Sequence, residues 1–186
     1  MIHQTAFAHR LCLTAMMLYG ICFAVPTESA ALAGGVRLAV LPQSWKEDSG
    51  NVLSLADLSG QHVVLTMAYA NCHRICPMTM AGLKRLQAAF DAKGTYAEFV
   101  VVGYDPENEN PATWRQYRRS HHLQRSNWHF VTGSVADTAQ LARQLQFELW
   151  KYDEHVMHES RVLVFDAHGL LAGELGPDAD YASGAL

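Results

Sequence analysis

The 186-residue chain is poor in cysteine, and the few it has are unevenly placed. Cys12 and Cys22 lie near the start, and Cys72 and Cys76 lie four positions apart. That pattern excludes a small domain stapled by several distributed disulfides. Basic charge is also short: 14 Lys and Arg stand against 18 Asp and Glu, for a net charge of −4. No electrostatic footprint for nucleic acid results. No apolar run reaches the roughly 20 residues that a membrane-spanning helix needs. Proline is missing from residues 112–176, so this part of the chain holds no X-Pro bond able to become cis. Internal repeats and low-complexity segments are absent as well.

What the chain does have at its start is a leader. Arg10 precedes a mostly apolar run over residues 11–25, and Pro26 interrupts it, the order of a secretory signal. At 15 residues the run is short for a span, so cleavage is expected at the small-residue step Ala31, Leu32, Ala33. A retained leader would instead tether the domain to a membrane. Cleavage removes Cys12 and Cys22 and leaves 13 basic and 17 acidic residues, enough chain for one domain with a substantial core. The expected division is a signal peptide over 1–33, a domain over 34–176 and a flexible tail over 177–186. The expected location is periplasmic, or membrane-anchored and facing the periplasm. In such an oxidising compartment, a lone pair of close cysteines points to chemistry rather than to a structural staple.

The hydrophobic pattern alternates between strand and helix periods. Val63, Val64, Leu65 and Met67 make a buried strand over 62–69, and 99–104 and 128–131 are two more. From Met78, the residues Met80, Leu83, Leu86, Ala89 and Phe90 recur at helical intervals until Gly94. Pro111 opens a second helix, and Ser134 with Asp137 opens a third running to Leu145. A strand over 161–166 turns at Ala167, His168 and Gly169 into an antiparallel partner over 170–174. This order predicts an α/β three-layer domain, with a mixed β-sheet flanked by helices.

The segment Asn71, Cys72, His73, Arg74, Ile75, Cys76, Pro77 lies between the first buried strand and the first helix. Open α/β sheets place ligands beyond strand C-termini of this kind. Pro77 suits a first helical position and disfavours helical backbone at Cys76, so the helix is expected to begin after both cysteines. A helix N-terminus favours a thiolate, which is both the better metal ligand and the better exchange nucleophile. Three intervening residues let the sulfurs either join as a disulfide or converge on one ion.

Two thiolates suffice for Cu(I), whereas Cu(II) calls for a further donor such as imidazole. Of the eight histidines after residue 33, His62, His121, His122, His129 and His168 read as solvated, and His73 as outward-pointing. His155 and His158 lie in what reads as a loop just before a buried strand, and both compete for the role of third ligand. Zinc would also accept two thiolates and a histidine.

Several pieces in fixed order resemble the Sco/SenC family: Leu53, Ser54, Leu55, Ala56, Asp57 and Leu58; the C-x-x-x-C-P of residues 72–77; Asp105 with Pro106; and a late histidine followed by strand and turn. The resemblance covers roughly residues 42–175. It implies a thioredoxin-like fold, copper as the metal, and help in assembling the copper centre of cytochrome c oxidase or another cuproprotein, by metal delivery, thiol reduction or both. It implies Cys72, Cys76 and His158 as the ligands, since the family histidine lies about eight residues before the acidic turn, as His158 does before Asp166. The family's Asp-His-Ser/Thr context is replaced here by Met157, His158, Glu159. Asp105 is expected either to orient the site or to cap its turn. Two other readings compete: a thiol-disulfide oxidoreductase acting on a partner's cysteines, and a thiol peroxidase in which one cysteine resolves the sulfenic acid of the other. Dedicated thioredoxin-like redox enzymes use C-x-x-C with a later cis-proline, and this chain has neither.

Overall fold

The computed structural model describes residues 35–70, 75–152, 155–158, 160–176 and 179–182. The expected signal over 1–33 and the ligand candidate Cys72 lie outside the described residues. Among the described residues, no helix is long and apolar enough to cross a membrane.

The elements run β1 (Trp45–Glu47), β2 (Val52–Leu53), β3 (His62–Ala68), α1 (Ile75–Lys93), β4 (Ala97–Gly103), α2 (Pro111–Ser120), β5 (Trp128–Thr132), α3 (Val135–Gln144), β6 (Leu149–Tyr152), β7 (His155–His158), β8 (Val162–Phe165) and β9 (Leu171–Leu175). Seven strands form one sheet in the order β2-β1-β5-β4-β3-β8-β9, and β6 pairs with β7 in a separate hairpin. β3, β4 and β5 are mutually parallel, whereas β8 runs antiparallel to β3 and β9 antiparallel to β8. The sheet is therefore mixed, as the sequence predicts.

Both faces of the central strands are covered, which is why they read as continuous apolar runs. Val63, Leu65 and Met67 of β3 and Val100 and Val102 of β4 pack with Leu141, Ala142 and Leu145 at α3 and with Leu38 and Leu55 from two short 3₁₀ turns. On the other face, Val64, Ala68, Phe99 and Val101 pack with Met80, Leu83, Leu86 and Phe90 of α1 and with Trp114 and Tyr117 of α2. Tyr181 is buried in this second cluster, lying against Gly82, where an added Cβ would sit 3.1 Å from its ring. Packing thus extends into the stretch that the sequence reading assigned to a flexible tail.

Local chemistry sets the element ends. Ser134 caps α3, its Oγ accepting the Asp137 N–H at 3.1 Å and donating to the Asp137 carboxylate at 2.6 Å. A Ser134→Ala variant should lose about 1 kcal/mol in urea denaturation, and no change would show the cap to be idle. Gly94 closes α1 at φ +67°, where only glycine avoids a Cβ penalty. The β8–β9 turn is tied by Asp166, whose Oδ1 accepts from the N–H groups of His168 and Leu170 at 2.8 and 2.9 Å.

Two expectations are corrected. Helix α1 begins at Ile75, so Cys76 lies within its first turn rather than before it. Pro77 is accommodated there because the first four N–H groups of a helix have no intrahelical acceptor, and proline lacks one to satisfy. The segment containing His155 and His158 is a strand of the β6–β7 hairpin rather than a loop, with Leu149 opposite His158 and Tyr152 opposite His155.

Candidate metal and dithiol site

Topology brings the two carriers of the proposed ligands to one end of the sheet. β3 runs toward the cysteine segment, and Thr66, near its C-terminal end, is paired with Val162 at the start of β8. Because the two strands are antiparallel, the chain leaving β3 toward Cys72 and the chain arriving from His158 meet at the same edge. The parallel strand β4 ends there too, followed by Asp105.

Side chains around this edge fix that approach. Thr79, one turn after Cys76 on α1, and Ser160, two residues after His158, have their hydroxyls 2.7 Å apart. This bond joins the helix bearing Cys76 directly to the segment following His158. Thr66 donates from Oγ1 to the Arg161 carbonyl at 2.7 Å. Arg161 in turn holds the foot of the hairpin: its guanidinium bonds the carbonyls of Leu145 and Gln146, just before β6, and forms a two-bond pair with Glu174 of β9 at 2.7 Å for each bond. The hairpin is thus anchored at its foot to α3 and β9, and on the His158 side to α1.

Among the described residues, the other histidines fall elsewhere. His62 starts β3, and His168 lies in the β8–β9 turn, both at the opposite end of the sheet. His121 stacks on Tyr117 after α2. His129 departs from the solvated environment expected of it: its Nδ1 is 2.6 Å from Glu47 and its Nε2 2.9 Å from Glu98, all three side chains being largely buried. Glu47 on β1, His129 on β5 and Glu98 on β4 come together because these three strands are neighbours in the sheet, and that arrangement has no sequence signature. Asp105 acts in its turn, its carboxylate accepting both contacts from Asn108 Nδ2 at 3.1 and 2.9 Å.

Sequence reasoning missed Glu109. It is only 3% exposed, with Oε1 accepting the Ala70 N–H at 2.6 Å and Oε2 accepting the Asp105 N–H at 3.1 Å. Ala70 is the last described residue before the cysteine segment. Burial pushes the Glu109 carboxyl up to about 8, against the lowering effect of the two backbone hydrogen bonds, and the nearby Asp105 charge adds to the rise.

Among the described residues, no three His, Cys, Asp or Glu side chains are grouped to hold a metal ion. Cys72 and the side chains of Cys76 and His158, the ligands expected from the family resemblance, are not among them. A set of two thiols and an imidazole fits a thiophilic ion, and two thiols alone allow disulfide exchange.

The family model described as SCO1/SenC matches residues 43–184. No curated protein sequence matches the chain. Among solved structures, a SCO1/SenC family lipoprotein from Bacillus anthracis is similar at 22% identity and TM-score 0.70, covering 76% of this chain and 88% of that one. Arabidopsis thaliana ScoI with copper bound is 21% identical at TM-score 0.69, covering 76% and 90%. BsSco, described as a member of the Sco family of cytochrome c oxidase assembly proteins and studied for a disulfide switch, is 21% identical at TM-score 0.69, covering 83% and 98%. These likenesses establish the thioredoxin-like fold.

Proposed function

The chain belongs to the SCO1/SenC family, and from that premise we propose that it is an exported copper-binding protein with a redox-active dithiol, assisting assembly of the copper centre of cytochrome c oxidase or another cuproprotein. Cys72 and Cys76 supply thiolates and His158 an imidazole. The observation that carries this reading is the 2.7 Å bond between Thr79 and Ser160, which joins the two ligand-bearing segments at the end of the sheet where β3 delivers the cysteines. The copper bound in the similar Arabidopsis structure and the assembly role given for the family of BsSco support the choice of metal and purpose.

The division of labour follows from ligand chemistry. Thiolates hold Cu(I) with two ligands, and the imidazole completes a site for Cu(II). The first turn of α1 favours negative charge near Cys76 through its unpaired N–H groups and dipole. Copper is cargo in this scheme: it leaves for an acceptor, and the freed thiols stay reduced until a disulfide such as that of a partner protein takes their two electrons and two protons in exchange. Residues 1–33 direct export or tether the domain at the membrane, with the domain itself facing the periplasm.

Anaerobic titration of the reduced full chain with copper tests the reading, with Cu(II) followed by its thiolate-to-metal absorption. Wild type should bind one ion. Cys76→Ser should abolish the absorption band. His158→Ala should weaken Cu(II) binding beyond the ten- to hundredfold typical of outer-shell partners, while His155→Ala stays close to wild type. Equally weak binding by all four chains would remove the metal reading, and a loss on His155→Ala alone would move the ligand to His155.

The position of the pair also favours a second reading, reduction of a partner's cysteines by the metal-free dithiol. Met78, two residues after Cys76 in the chain, is 73% exposed and offers an apolar contact to a partner. Reduction of an oxidised two-cysteine copper domain by the apo protein supports that reading, and no exchange counts against it.

A further inference from the structure

The parallel pairing of β3 and β4 ends just short of the cysteine segment. Tyr104 donates its N–H to the Ala68 carbonyl at 3.3 Å, and beyond this rung the two strands separate. The next amide on the β3 side, Ala70 N–H, is taken up by the Glu109 carboxyl at 2.6 Å. The other carboxyl oxygen takes the Asp105 N–H, and the Glu109 amide itself donates to the Asp105 carbonyl at 2.9 Å. Gly103 makes the room: a Cβ there would collide with Glu109 Oε2 and sit 3.1 Å from Trp114. A buried carboxyl is thus threaded between the turn after β4 and the chain entering the cysteine segment. A neutral side chain would fill the same volume without the desolvation penalty that a buried carboxylate carries.

We propose that Glu109 is a positioning residue for the thiol pair: its carboxyl ties the amide of Ala70, two residues before Cys72, to the Asp105 turn, and so sets how readily Cys72 and Cys76 meet. This rests on the reading of the pair as a redox dithiol. Cys76 is carried by α1, and Glu109 supplies the hold on Ala70, at the other end of the stretch that leads to it. Releasing that end gives the reduced segment more conformations, so closing the disulfide forfeits more entropy and the effective concentration of one thiol at the other falls. The elevated proton affinity of the carboxyl agrees with a group kept in place for its geometry against the cost of burial.

The test is the equilibrium of the full-length chain with glutathione. Two thiols of the protein give two electrons and two protons to glutathione disulfide, yielding the Cys72–Cys76 disulfide and two glutathiones. Glu109→Leu, similar in size and without an acceptor, should shift this equilibrium about tenfold toward the dithiol, equivalent to about 30 mV. Glu109→Gln, which keeps one acceptor, should shift it in the same direction by about threefold. Thermal unfolding is recorded beside it, because a residue that only caps the turn would lower the melting temperature and leave the dithiol equilibrium alone. An equilibrium within twofold of wild type in the folded variants overturns the proposal. If the Leu variant does not fold, the Gln variant decides. The readout does not involve copper, so failure of the copper reading and failure of this proposal register separately.

Discussion

Raising the pH from 5 to 8 should cost the wild-type chain about 3 kcal/mol of stability relative to its Glu109→Gln variant, an order-of-magnitude figure from linkage. The carboxyl is pushed from 4.5 to about 8, first by burial and secondarily by the charge of Asp105, with the Ala70 and Asp105 amides opposing. In this window the folded protein holds a proton that the unfolded chain has released. Stability therefore falls as pH rises: the contribution is fully present below the unfolded value near 4.5 and is lost as pH passes through the folded value near 8. Glutamine does not titrate, so its loss of one hydrogen bond shifts the variant's curve without adding this slope. Urea denaturation of both proteins at several pH values isolates the effect, since all other titrating groups are shared. Parallel curves for the two proteins would show that Glu109 ionises normally and is better solvated than its 3% exposure indicates.

Glu109 also shows where sequence reading stops. In the stretch Asp105, Pro106, Glu107, Asn108, Glu109, Asn110, Pro111, every neighbour is a turn former or a charge, so the residue reads as solvated. Its burial is created by Gly103 and Trp114 from other elements, a tertiary fact that no local pattern carries. The central strands were legible for the opposite reason: cover on both faces turns β3 and β4 into unbroken apolar runs. The capped start of α3 and the glycine end of α1 were legible because those signals are local. The cysteine pair was read as the proposed site from spacing and placement alone. His158 was separated from His155 only by family spacing, and the backbone now adds that Ser160, two residues after His158, is tied to α1. The hairpin carrying both histidines was missed because Leu149–Tyr152 and His155–His158 are four-residue strands that lie outside the main sheet, too short for a clear period.

The polar stretch after Trp45 hid a second such feature, and it carries the other large effect: Asp48→Ala should destabilise the fold by about 3 kcal/mol. This stretch forms the β1–β2 hairpin at the sheet edge, and Asp48 within it is 6% exposed. Its amide donates to the Phe130 carbonyl at 2.9 Å, and its carboxylate receives Arg118 Nη1 at 2.9 and 3.1 Å. Arg118 has no slack to find another anion, because Nε donates to the Leu123 carbonyl and Nη2 to the Arg125 carbonyl, each at 3.0 Å. Its guanidinium also lies 5.4 Å from the centre of the Phe130 ring. Removing the carboxylate leaves a largely buried cation fixed to α2 and the following loop with its counter-ion gone. Removing both charges in Asp48→Ala with Arg118→Met should cost distinctly less than the sum of the single substitutions, since neither partner is then stranded. Urea denaturation of the four proteins at pH 7 reads this directly. A single-variant loss under about 0.5 kcal/mol, or strict additivity, would mean that water solvates Arg118 well enough to make the pair dispensable.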